Sequence, residues 1–428
     1  MKHHKAVVVG AGFAGLIAAR VLSDHFNSVV VIDKDERVGS KNPRTGASQG
    51  AHLHVLLKRG QSILRSMFPD IENIFDEAYC PKIDWAADTK WESKTGIFPR
   101  YSSDMTTYSF SRPFLEGSIH SLVSQRPNVS FIKAHAERMV IENEIATSIQ
   151  GEGFHLDGPF DLVVLAAGQN FPCNRFTKHQ LDDPSAHLPI QITYRSVVFE
   201  TASLNLDGFK QYYYQMAAPD DPIGAVICPI ENGFSIATIV EHGLPRSVRT
   251  DFEGFMSLAE NVPGGEFHKI LQHGRAVSDV SFFYKPSMYL RRPDKIAEFP
   301  ENVFCIGDIF CSLNPVFGQG MTSALIQGQL LEELLQKSHL SSRNFHKKSA
   351  ARLRLPFLLS KLGSSTKQDL PHRYLKAYLL RCQQSGKTHR KFLGALHLES
   401  SYTSLLDIPA MASAMFSKKA SLQRRKND

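Results

Sequence analysis

The 428 residues exceed one ordinary core and suit two domains with a tail. At 42% hydrophobic and 21% charged the sequence falls among globular proteins, and no apolar run reaches the roughly 18 residues that a membrane-spanning helix needs. The net charge of +7 is uneven: residues 341–428 carry 18 basic and 4 acidic side chains, the rest 31 and 38, which describes an acidic body with a basic tail. Apolar text from residue 5 leaves no room for a signal peptide. Six cysteines (Cys80, Cys173, Cys228, Cys305, Cys311, Cys382) show neither C-x-x-C nor metal spacing and read as reduced thiols of a cytoplasmic protein.

In sequence order, residues 5–9 and 29–32 are apolar runs of the kind buried parallel strands show. Between them Leu16, Ala19 and Leu22 recur with helical spacing, which makes one βαβ unit. A long loop over 39–50 precedes a helix expected at 54–67. A strand at 105–112, a helix at 113–124 and a buried strand at 161–166 follow. The segments 190–200, 211–217, 223–229, 234–240 and 276–284 alternate as strands of a second sheet. Residues 303–306 form a last buried strand before a helix starting near Gly320. The expected class is α/β, with a Rossmann-like, glutathione-reductase-type FAD-binding domain (1–75, 105–180 and 296–335). An inserted antiparallel-sheet substrate domain would take 76–104 and 181–295, leaving a basic helical C-terminal region over 336–428.

Gly10-Ala11-Gly12-Phe13-Ala14-Gly15 is G-x-G-x-x-G between a strand and a helix. Its glycines serve a tight turn, close approach of a diphosphate and close helix–strand packing, and the helix N-terminus adds positive potential. Asp33 ends the second strand, where a carboxylate can accept ribose hydroxyls; an acid there favours FAD or NAD over NADP. Three hundred residues on, Gly307-Asp308, Asn314-Pro315 and Gly318-Gln319-Gly320-Met321 supply an acid after a strand and glycines opening a helix that can face a flavin ring. The pairing selects FAD.

These paired motifs resemble the flavoprotein monooxygenases built like aromatic hydroxylases. Gln49 to His54, Ser111 to Glu116, Pro229 to Gly233 and Phe304 to Met321 are further similar to flavin-dependent epoxidases of polyene polyketides and their bacterial relatives. The resemblance implies that Gly10, Gly12, Gly15, Asp33, Arg112, Asp308, Pro315, Gly320 and Met321 contact the cofactor. Ala14, Lys34 and Gly168 are further candidate contacts, and Arg44 in the preceding loop reads either as a cofactor-phosphate contact or as solvated. It sets the catalytic surface at Phe317, Gly318, Gln319 and Gly320. The family's central A-T-G or A-D-G is Ala166-Ala167-Gly168 here, with Arg175 seven residues on, a departure that bears on direct nicotinamide use. His120 stands where relatives often have a further arginine.

The expected reaction is insertion of one atom of O2 into an apolar unsaturated or aromatic molecule through a flavin C4a-hydroperoxide. NADH or NADPH would reduce the flavin directly or through a separate flavin reductase. His52, His54, Tyr212, Tyr214 and Phe282 are candidate substrate contacts, each with packing as its other reading. The tail reads as a solvated helical cap, a membrane-surface contact or a carrier-protein dock; nucleic acid is not expected. Rival readings are an isoprenoid- or alkene-saturating flavin reductase, a flavin halogenase whose W-x-W-x-I-P motif is absent, and a non-catalytic FAD-binding partner.

Overall fold

The computed structural model describes residues 3–35, 49–169, 171, 187–218, 220–243, 251–337, 340–364 and 369–415. Its first sheet is parallel and five-stranded, in the order Val303–Cys305, Leu162–Leu165, His3–Val9, Phe26–Asp33, Val129–Lys133. Helices Phe13–His25, Arg112–Ser124 and Gly320–Gln336 pack on one face, where Val8, Leu16, Val31, Leu115, Val164 and Leu325 share a core. The other face carries a three-stranded meander of Arg138–Glu142, Ile145–Gly151 and Phe154–Asp157, through Met139, Ala146 and Ile149. Cover on both faces explains why four of the five strands read as unbroken apolar runs, while the partly exposed edge strand Val129–Lys133 went unanticipated. The meander itself has short strands with weak alternation, and the sequence reading passed over it.

The second sheet has eight strands, in the order Cys311–Ser312, Ser281–Leu290, Leu188–Glu200, Phe234–His242, Ile223–Pro229, Gln211–Gln215, Thr89–Ser93, Gly96–Ile97. Its pairings are antiparallel except the parallel one between Gln211–Gln215 and Thr89–Ser93. Unanticipated helices Phe252–Glu260 and Glu266–Leu271 cover one face, setting Phe255, Phe267 and Leu271 against Val197, Tyr212 and Ile239. Boundaries shift elsewhere too. The helix expected from 54 is Lys58–Met67, the strand expected at 105–112 shrinks to Thr106–Tyr108, and the one expected from 276 starts at Ser281. Helices Ser342–Gly363, Leu370–Gln384 and Gly386–Leu396 lie within the basic C-terminal region.

His346, on the Ser342–Gly363 helix, ties that region to the parallel sheet. Its Nε2 accepts from the Cys305 amide at 2.9 Å, a bond that needs an unprotonated nitrogen. Burial lowers its pKa from 6.5 to about 3, and burial likewise lowers His397 to about 3 and His389 to about 4. Because these folded-state values lie below the unfolded one, the unfolded protein binds more protons as pH falls through 6.5 toward 4. Stability is therefore full above about pH 6.5 and drops by up to about 1.4 kcal/mol per pH unit for each such histidine below it. The melting temperature is expected to fall steeply between about pH 6.5 and pH 4.5; a flat profile over that range would contradict the neutral, buried assignment.

Candidate active site

A continuous cavity of about 710 Å³ runs from the G-x-G-x-x-G turn, between the two sheets, to the C-terminal helices. Gly10, Gly12, Ala14, Asp33, Lys34 and Arg112 line its first part, and Gly168, Asp308, Pro315, Phe317, Gly318, Gly320 and Met321 lie along it. Residues some 300 positions apart in sequence thus share one wall.

Gly10 has φ +102°, and a Cβ on it would sit 2.7 Å from the Ala166 carbonyl oxygen. Gly15 is not on the wall. It lies against the turn, where a Cβ would come 1.8 Å from the Gly10 carbonyl oxygen. Asp33 accepts from the Ala11 amide through Oδ2 and from the Asp35 amide at 2.9 Å through Oδ1, which fixes its carboxylate at the rim of the turn. By contrast a Cβ on Gly168 or Gly320 would meet nothing within 4 Å. Open space at these two positions, with the helix N-terminus at Gly320, is a cradle that a dinucleotide cofactor fits. Asp308 projects its acid group from a single turn, Gly307–Ile309, and its carboxylate makes no hydrogen bond to a described residue.

Arg112 opens the Arg112–Ser124 helix, and its Nε donates to Glu116 Oε1 at 2.8 Å. His54 Nδ1 lies 2.9 Å from the His52 carbonyl oxygen, so Nδ1 carries the proton. That leaves His54 Nε2 as acceptor for the Arg112 guanidinium at 3.2 Å. Burial, and then the charge of Arg112, lower the His54 pKa to about 3. His52 Nδ1 stands 2.8 Å from Ser196 Oγ, which is 2.7 Å from Thr238 Oγ1. Burial lowers its pKa to about 4, so this imidazole is neutral too.

Two stretches noted for their resemblance meet at Glu231, whose buried carboxylate accepts from the Ser111 amide at 2.7 Å and the Ser111 hydroxyl at 2.6 Å. Ser111 Oγ also caps the helix that Arg112 begins. Glu231→Ala is expected to cost about 1.5–3 kcal/mol, since it strips a charged acceptor from two donors. A thermal melt checks this, and an unchanged melting temperature would refute the strut.

The Phe317 ring lies on the backbone of Gly363, where a Cβ would be 2.1 Å from its Cζ. Asn314 Nδ2 donates to Ser364 Oγ at 2.7 Å, so the motif is fastened to the C-terminal helices. Gln319 is fully buried and does not line the wall.

Placement differs from expectation among the aromatic candidates. Tyr212 is buried on the helix-covered face of the second sheet with its hydroxyl donating to Glu92 Oε2 at 2.9 Å, so it does not reach the cavity. Tyr214 shares that core and only borders the cavity, donating to Asp221 Oδ2 at 2.8 Å. Tyr213, one residue over, faces the cavity edge-on to Trp91, with ring centroids 4.9 Å apart. Phe282 likewise lies off the wall, beneath the Arg195 guanidinium at 5.5 Å, and Phe283 takes the wall position. Arg44 and Arg175 lie outside the described residues. The sequence reading missed Trp85, Trp91 and Phe98, and also Leu375, Leu379, Phe392 and Leu396. The last four come from the basic C-terminal helices, so these close the chamber as well as presenting a solvated face. Their apolar positions at helical spacing were the available signal.

Residues 8–78 match the family described as the NAD(P)-binding Rossmann-like domain. The protein is 28% identical over 355 residues to "Protein Rv3254" of Mycobacterium tuberculosis, a match that covers 73% of that protein and 77% of this one. Among solved structures, it is similar to a flavoprotein/dehydrogenase from Cytophaga hutchinsonii (TM-score 0.70, 12% identity, 99% of both proteins covered). It is also similar to p-nitrophenol 4-monooxygenase from Pseudomonas putida (TM-score 0.64, 15% identity, 94% of this protein and 99% of the other). A third is Klebsiella pneumoniae HpxO complexed with FAD (TM-score 0.62, 15% identity, 93% and 99%). The class is thus α/β with a Rossmann-like nucleotide-binding domain. Its particular form is a fold shared with the solved structures of p-nitrophenol 4-monooxygenase and of HpxO complexed with FAD.

Proposed function

We propose that this protein is an FAD-dependent monooxygenase that inserts one oxygen atom from O2 into an apolar, unsaturated or aromatic small molecule, with NADH or NADPH as reductant. The observation that carries the reading is one continuous cavity, which joins a dinucleotide cradle to a chamber walled by Trp85, Trp91, Phe98, Tyr213, Phe283 and Phe392. The similar structures include one described as a monooxygenase of p-nitrophenol and one complexed with FAD.

In this reading Gly10, Gly12, Asp33 and Asp308 hold the cofactor, with Arg112 steadied by Glu116 and His54. Bound FAD supplies the activation of oxygen. The protein supplies position and dryness: aromatic walls exclude water, and the backbone at Gly318 to Met321 offers donors at a helix N-terminus. Neutral His52, linked to Ser196 and Thr238, gives the substrate one polar contact in a largely apolar wall. The cofactor domain of 1–75, 105–180 and 296–335, the substrate domain of 76–104 and 181–295, and the C-terminal region from 336 belong to the same reading. Exposed Leu355, Leu358, Leu406 and Ile408 within the basic region support peripheral contact of that region with an anionic membrane surface, in a protein read as cytoplasmic.

The test supplies NADH or NADPH, labelled O2 and a panel of polyenes and phenols. One labelled oxygen in a product supports the reading. Saturation of an alkene under anaerobic conditions, with no oxygenated product in air, would replace it with a reductase.

A further inference from the structure

Lys285 is a lysine where little invites one. It sits within the Ser281–Leu290 strand, almost fully buried, and lines the cavity. Its Nζ donates to Gln169 Oε1 at 2.8 Å and to Ser312 Oγ at 2.6 Å. Both acceptors are neutral, and among the described residues no carboxylate makes an ion pair with it. Burial lowers its pKa, and the more distant charge of Asp308 opposes that. A buried ammonium held only by neutral oxygens carries a large desolvation cost, which a bound anion would offset.

Its two partners say where that anion lies. Gln169 directly follows Gly168, on the turn whose Ala166 carbonyl packs against Gly10. Ser312 follows the Gly307-Asp308 turn by four residues. Ser312 lies on the Cys311–Ser312 strand beside Ser281–Leu290 in the same sheet, so it is through Gln169 that Lys285 reaches from that sheet to a cofactor-facing turn. On the same strand face Phe283, two residues back and about 6.8 Å away along the strand, lies beside His52, with ring centroids 6.0 Å apart. Phe283 thus marks the substrate side and Lys285 the cofactor side.

We propose that Lys285 is a cation, delivered from the substrate sheet, that binds an anionic oxygen of the cofactor's diphosphate. This rests on the FAD reading above. It makes the inserted sheet part of the cofactor site. The third hydrogen of the ammonium is the donor available to the diphosphate, since Gln169 and Ser312 take the other two.

The experiment measures FAD affinity by flavin fluorescence in the full-length protein stripped of flavin, for wild type, Lys285→Met and Lys285→Gln, alongside the melting temperature without cofactor. Loss of a charge-assisted contact is expected to weaken FAD by about ten- to a hundredfold in both variants. The flavin-free melting temperature should hold or rise, because an unpaired buried charge has gone. FAD affinity within about threefold of wild type would overturn the inference. So would wild-type affinity in Lys285→Gln alone, which would mark a neutral hydroxyl as the partner. A fall in flavin-free melting temperature that accounts for the weaker binding would make Lys285 a strut between domains and overturn it too. A wild-type protein that binds no FAD would instead remove the functional reading itself.

Discussion

Gly15→Ala is expected to yield a protein that neither folds stably nor binds FAD. The added Cβ would lie 1.8 Å from the Gly10 carbonyl oxygen, less than any non-bonded carbon–oxygen contact allows. The atom it meets is backbone, fixed because the Gly10 amide donates to the Ile32 carbonyl at 2.7 Å. Relief therefore requires the Phe13–His25 helix to move off the sheet, although Leu16, Ile17 and Leu22 are packed there. Overpacking costs typically about 1–3 kcal/mol where side chains can give way, and more where only backbone can move. Gly320→Ala is the matched control. Its Cβ meets nothing within 4 Å, so that variant should melt like wild type while binding FAD less tightly, because the cofactor occupies the space. Soluble, fully flavinated Gly15→Ala would show that the helix does not approach as closely as described.

Asp308→Ala is expected to fold and to lose FAD. The turn stays in place because the Asp308 carbonyl, which the substitution keeps, accepts from the Tyr289 hydroxyl at 2.9 Å. What disappears is a carboxylate that lines the cavity and accepts nothing from the described residues. A hydrogen bond to a charged group contributes about 1.5–3 kcal/mol, or roughly ten- to 150-fold in affinity. The protein should therefore emerge largely without flavin, at a near wild-type melting temperature. A fully flavinated, active Asp308→Ala protein would remove Asp308 from the site.

Four strands of the parallel sheet were legible because they are buried on both faces and so appear as unbroken apolar runs such as Ala6 to Val9 and Leu162 to Leu165, whereas the partly exposed edge strand Val129–Lys133 was not. Gly10 and Gly15 were legible because backbone contacts there leave no room for a Cβ. The substrate wall was not. Period-two alternation correctly paired Tyr212 with Tyr214 and set Tyr213 opposite, but a strand does not reveal which face a helix will cover. Helices Phe252–Glu260 and Glu266–Leu271, unseen in the sequence reading, cover the face that holds Tyr212. The same ambiguity exchanged Phe282 for Phe283. Lys285 left a trace only as the one charged residue of the strand Ser281–Leu290. Its partners lie 116 and 27 residues away, so local pattern could not show what it does.

The most direct test of the account is the visible spectrum of the purified full-length protein, before and after NADH or NADPH under nitrogen and then in air. The account predicts a yellow protein with one FAD per molecule, bleached by nicotinamide or by an added flavin reductase and restored by oxygen. A colourless protein that takes up no added FAD would contradict it.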